Sequence, residues 1–126
     1  MDYINKDCTV SKVLNLGDFI QIGPNPREVY DIVMNHPKFI NIMGNSEYMF
    51  FNDEVRRYYE TEVEHQDWVC KQLGLERMEN LKKVPLQRTV TIENRKFLMV
   101  HARMNNVMDT PLLYGKKTLR RILRRL

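Results

Sequence analysis

Asp18, Asn45 and His101 are the residues whose types and placement could hold a cation, because each lies at the end of a short apolar run. "TVSKVLNL" leads into Gly17-Asp18, "KFINIM" into Gly44-Asn45, and "KFLMV" into His101. A carboxylate, an amide oxygen and an imidazole make a donor set that divalent ions such as Mn²⁺, Fe²⁺ or Zn²⁺ accept. The glycines before Asp18 and Asn45 let the backbone turn sharply and aim the next side chain. The plainer alternative is that Gly-Asp and Gly-Asn are turn dipeptides and that a histidine at a strand end is simply hydrogen-bonded. Spacing alone leaves both open.

Other chemistry is thin. There is no Gly-x-Ser-x-Gly and no Walker-type phosphate loop, and Cys70 has no base beside it in sequence. Cys8 and Cys70 are too few and too far apart for a disulfide framework or a zinc ribbon. His36 precedes Pro37 at a helix end and His65 sits near Asp67 on a helix, so both read as structural or exposed. The eight Met residues mostly fill apolar positions.

The elements that must position the three candidates follow from hydrophobic period. Thr9 to Leu16 reads as a buried strand before the Gly-Asp turn. In "GPNPREVYDIVMNHP", Asn25 suits an N-cap, Pro26 the first helical position and Glu28 the third position of a capping box. Val29, Ile32 and Val33 form the apolar face of that helix, and Pro37 follows its end. Lys38 to Met43 is a second strand, so the first part of the chain is a βαβ unit with neighbouring parallel strands. From Ser46 to about Glu64, Val55, Tyr59 and Val63 have helical spacing. "HQDWVCKQLG" predicts a helix with Trp68, Val69, Gln72 and Leu73 on one side and Gly74 as its stop, and "ERMENLKKVP" a second. The period then changes to two, and "QRTVTI" and "KFLMV" flank "ENR" as a β-hairpin. In an α/β sheet, groups beyond the carboxyl ends of parallel strands gather in one crevice, the usual ligand site.

At 126 residues the chain predicts a single domain, with an apolar share of 43% and a charged share of 29%. No apolar run approaches bilayer length, and the N-terminus lacks the basic-then-apolar order of a signal peptide, so the expected location is the cytoplasm. The +4 net charge is concentrated at the end, in "KKTLRRILRRL". That tail adds six positive charges and no acid, leaving the rest at about −2. Residues 112–126 predict a basic amphipathic helix, with Leu119, Ile122, Leu123 and Leu126 opposite the Lys and Arg residues. Such a helix either packs its leucines on the sheet, the favoured alternative, or binds nucleic acid or an anionic membrane.

Taken in order, "LGDFIQIGPNPREVYDIV", "FINIMGNSEY", then His65, Trp68, Leu81, Val84 and Pro85, then "FLMVHA" resemble the calcineurin-like metallophosphoesterases. The branch they resemble is that of the small prokaryotic YfcE-like phosphoesterases, and the resemblance spans roughly Val10 to Ala102. It implies an α/β fold, a four-layer α/β/β/α sandwich with a two-metal site at the sheet edge. It also implies hydrolysis of phosphomonoesters or phosphodiesters by a metal-positioned water. By resemblance, Asp18 matches the aspartate bridging both metals, and Asn45 and His101 match ligands of the second metal.

The departures set the expected activity. The family's opening Asp-x-His has no counterpart before Val10, and its later Gly-His-x-His has none after His101. Ser46 stands where the "GNH[DE]" motif has its catalytic histidine, and Ala102 replaces the glycine after His101. The resemblance therefore implies one incomplete domain over residues 1–126, lacking the first strand and the C-terminal part. Expected consequences are weak or absent phosphoesterase activity and a site holding one divalent ion (Mn, Fe, Zn or Ni) or none. An uncovered sheet edge beside Val10–Leu16 predicts a homodimer or higher oligomer. The competing function is a non-catalytic binding protein that uses the basic C-terminal helix.

Overall fold

A computed structural model describes residues 4, 6, 9–53 and 60–108. The helix predicted over 112–126, and Val55 and Tyr59 of the region after Ser46, lie outside the described residues.

The architecture is α/β. The first apolar run forms a strand over Val13–Asn15 (β1), which pairs in parallel with Phe39–Asn41 (β2). Val13 lies opposite Phe39 and Asn15 opposite Asn41. The helix Pro26–Asn35 (α1) makes the crossover between them, so the predicted βαβ unit is present. Both strands are shorter than predicted and half-buried. The ladder closes with the Ile42 amide donating to the Asn15 carbonyl at 3.1 Å, and Gly17, at φ +97, then turns the chain out of extended geometry.

Two expectations for α1 need correction. Asn25 makes no side-chain cap bond; only its carbonyl engages the helix, accepting from the Val29 amide at 3.1 Å. An N-cap side chain reaches the first-turn amides from extended backbone, whereas Asn25 sits at φ −125, ψ 57. The buried face is Pro26, Tyr30 and Val33, while Val29 and Ile32 are exposed. Arg77 fixes that rotation: its Nε and Nη2 donate to the two Asp31 carboxylate oxygens at 2.8 and 3.0 Å, and its guanidinium carbon lies 6.0 Å from the Tyr30 ring centroid.

A short helix, Asn45–Met49 (α2), follows β2 directly. The stretch predicted as two helices runs as Glu60–Leu81 (α3) with a non-helical break at Gly74, φ 76 and ψ 168. Its buried stripe is Gln66, Val69 and Leu73, spaced i, i+3, i+7. Trp68 and Gln72 point outward instead, because the stripe includes a glutamine that hydrophobic patterning passes over. Gln66 is fully buried, with its amide nitrogen 3.9 Å from the Met49 sulfur.

Gln87–Ile92 (β3) and Arg95–Val100 (β4) form the predicted antiparallel hairpin. Its loop is the two residues Glu93 and Asn94, at φ 49 and 63. Two positive φ angles match the right-handed strand twist, which is why such loops accept Asn. The Pro85 carbonyl accepts the Met43 amide at 2.8 Å and so ties the hairpin's approach to the end of β2. The core gathers Ile20, Tyr30, Phe50, Val69, Leu73 and Leu81. Full burial of such side chains contributes about 1.5–3 kcal/mol each, and Ile20 anchors the loop after Asp18 in this core. Among the described residues, no helix is long and apolar enough to cross a membrane.

Candidate metal centre

The loops leaving β1 and β2 approach so closely that neither tolerates a side chain at its glycine. A Cβ on Gly17 would lie 2.1 Å from the Gly44 amide nitrogen, and one on Gly44 would lie 2.3 Å from Asp18 Oδ1. Asp18 itself has φ 58, a left-handed geometry that Asp adopts more readily than most residues. Upstream, Asn15 Nδ2 donates to Asn41 Oδ1 at 3.1 Å, and the Gly17 amide donates to Asn15 Oδ1 at 3.3 Å. Side chains thus continue the pairing of β1 and β2 where the backbone ladder stops.

Glu47 locks this arrangement, a role that residue type alone does not reveal. It is fully buried at the third position of α2. Oε2 accepts the amides of Asp18 at 2.7 Å and Gly44 at 3.0 Å; Oε1 accepts those of Phe19 at 2.9 Å and Ile20 at 3.4 Å. Burial pushes the Glu47 carboxyl above the usual carboxylate range, against the opposing pull of the Asp18, Gly44 and Phe19 amides. Four N–H donors on two oxygens is the pattern of an ionised carboxylate. The signal available in sequence was its spacing, a Glu three residues after a glycine N-cap.

On this frame the three candidate residues come together. His101, just past β4, places Nε2 2.8 Å from Asn45 Oδ1 and 3.2 Å from Asp18 Oδ2. His101 Nδ1 lies 2.7 Å from the Leu16 carbonyl. A carbonyl only accepts, so Nδ1 carries a proton and donates it there. In the neutral ring, Nε2 then presents a lone pair toward the two oxygens. Nε2 thus faces two oxygens, an arrangement that a cation shared among the three atoms would satisfy. Asp18 Oδ1 is engaged elsewhere: it accepts the Ser46 amide at 3.0 Å and the Ser46 hydroxyl at 2.6 Å.

The other two histidines lie elsewhere. His36 packs edge-on against Phe39, with ring centroids 5.7 Å apart, and its Nδ1 accepts the Lys38 amide at 3.2 Å. His65 stacks on Trp68 and contacts the Gln21 carbonyl, while Gln21 Nε2 donates to Glu62 at 2.7 Å. Among the described residues, no three His, Cys, Asp or Glu side chains converge as a metal-binding group. Among the described residues, the donor set at the strand ends is therefore one carboxylate, one imidazole and one amide, a mixture that a divalent ion accepts.

A parallel βαβ unit thus brings its strand-end Gly-Asp and Gly-Asn loops against a histidine from a second sheet. The sequence profile described as calcineurin-like phosphoesterase matches residues 1–123, and the chain belongs to that family. The match is to the family and does not distinguish the YfcE-like branch. Among curated proteins, none matches the chain.

Proposed function

We propose that this chain is a metal-dependent phosphoesterase of reduced activity, with one divalent cation held by Asp18 Oδ2, Asn45 Oδ1 and His101 Nε2. The supporting observation is that Asn45 Oδ1 and Asp18 Oδ2 lie 2.8 and 3.2 Å from His101 Nε2. When bound, such an ion polarises a phosphoryl oxygen and makes a coordinated water more acidic. The chain's own residues orient and hold. The Leu16 carbonyl fixes the His101 ring, and Glu47, through the Asp18 amide, fixes the backbone that carries the carboxylate.

Protonation of the leaving group is the weak point. By family resemblance a histidine belongs at position 46, and general acid catalysis contributes roughly 10²–10⁴ in rate. Here the Ser46 hydroxyl proton points to Asp18 Oδ1. The substrates that suit such a site are phosphate esters whose alcohol leaves without a proton. Bis(p-nitrophenyl) phosphate with Mn²⁺ tests this. Slow hydrolysis is expected, lost in Asp18→Asn and in His101→Ala, with Mn²⁺ binding by calorimetry lost in the same variants. Absence of Mn²⁺ binding by the unmodified chain would refute the proposal.

A further inference from the structure

Asp18 uses its two carboxylate oxygens differently, and the cause is Ser46. Oδ1 accepts two donors from that one residue, the hydroxyl at 2.6 Å and the amide at 3.0 Å. It also lies against Gly44, where an added Cβ would come within 2.3 Å of it. Two hydrogen bonds occupy both lone-pair directions of a carboxylate oxygen, and the backbone of Gly44 closes a further side. Oδ2 is the oxygen turned to His101 Nε2, at 3.2 Å. The Ser46 side chain is itself buried, and its O–H···O⁻ contact has the short length of a charge-assisted bond.

From this geometry we propose that Ser46 is a positioning residue that occupies Asp18 Oδ1 and leaves Oδ2 as the oxygen available to a cation. The inference rests on the single-ion reading above and deepens it. The serine at position 46 has become part of the carboxylate's support: its single hydroxyl proton fixes the Asp18 side chain so that Oδ2, Asn45 Oδ1 and His101 Nε2 stay convergent. Hydrogen bonds to a ligating carboxylate fix its orientation, and losing one weakens metal affinity by about 10–100-fold.

The test is Mn²⁺ titration of the full chain by calorimetry, with the electron paramagnetic resonance signal of free Mn²⁺ giving an independent count of bound ions. The proteins are the unmodified chain, Ser46→Ala, Ser46→Cys and Ser46→Thr, each shown to be folded by circular dichroism. One Mn²⁺ per chain is expected. In Ser46→Ala the dissociation constant is expected to rise at least about tenfold. Ser46→Cys, nearly the same size but a poor donor, should behave alike and serves if the alanine variant does not fold. Ser46→Thr keeps the hydroxyl and is expected to stay within about threefold of the unmodified chain, which loss of packing alone would not produce. Ala and Cys variants that bind as tightly as the unmodified chain would overturn the role of Ser46 while the phosphoesterase proposal stands. An unmodified chain that binds no Mn²⁺ overturns both.

Discussion

Replacing Glu47 by Gln removes one acceptor oxygen from the buried junction between the two strand-end loops. The glutamine NH₂ must face either the amides of Asp18 and Gly44, now accepted at 2.7 and 3.0 Å, or those of Phe19 and Ile20, at 2.9 and 3.4 Å. The side chain will turn the NH₂ toward the second pair, whose bonds are longer. That choice still sets donor against donor at two backbone amides. Hydrogen bonds to a charged group contribute about 1.5–3 kcal/mol each, so losing two costs about 3–6 kcal/mol, and the longer Ile20 contact points to the lower end. A loss of about 3 kcal/mol is a large share of a small domain's usual 5–15 kcal/mol. Urea unfolding at neutral pH, followed by Trp68 fluorescence, gives the assay. With a slope of about 1–3 kcal/mol per molar, the midpoint should fall by about 1–3 M. Glu47→Ala, which loses all four bonds, should fall further. A midpoint shift below about 0.3 M for both variants would refute the argument, because the four amides would then have other partners.

Other outcomes follow from the same structure. Gly74→Ala costs about 1–3 kcal/mol from its positive φ alone, since an added Cβ there meets nothing within 4 Å. Gly17→Ala, whose Cβ would strike the Gly44 backbone, should cost roughly a further 1–3 kcal/mol, as thermal melts of the two variants would show. The Arg77 hydrogen bond holds the Asp31 carboxyl below its ordinary value of 3.8, so as pH falls the unfolded chain takes up that proton first. The stability from this pair is therefore present above pH 3.8 and lost as pH drops through the lower folded value, and acid titration of Arg77→Gln should show a flatter decline. Among the described residues β1 pairs only with β2, and Leu16 beyond it is exposed. We propose that a second copy covers this edge. Light scattering after size exclusion should then give a dimer at tens of micromolar, and a monomer would count against it.

The parts of the fold visible in sequence were those set by local rules. Pro26 and Pro37 bracket α1, the switch to alternation marks β3 and β4, and Gly17 and Gly44 mark where β1 and β2 end. The meeting of Asp18 and Asn45 was legible because both follow the carboxyl ends of adjacent parallel strands, whereas His101 joins them from the other sheet. What escaped depends on partners far away in the chain. Glu47 is an acidic residue whose donors lie 27 to 29 positions upstream, apart from Gly44, so composition gives it the look of a surface charge. Gln66 is a polar residue buried in the stripe of α3, and patterning by hydrophobicity assigned its place to Trp68 and Gln72. Asn25 had the right residue type for a cap but not the backbone angles.

The contact between Gly17 and Gly44, with Glu47 spanning both loops, has a consequence for ion choice. Asp18 and Asn45 ride on one stiff unit and cannot separate without breaking it. His101 arrives from a different sheet and is tied to that unit by the Leu16 carbonyl. At the proposed single-ion site, a larger or smaller ion would therefore be accommodated by sliding the hairpin end relative to the two loops, not by spreading the loops. Discrimination by ionic radius depends on ligand number and site rigidity, and a site that is stiff on one side only sets a coarse sieve. Stiffening β4 against the loops, rather than altering the three ligands, is the change that would sharpen it.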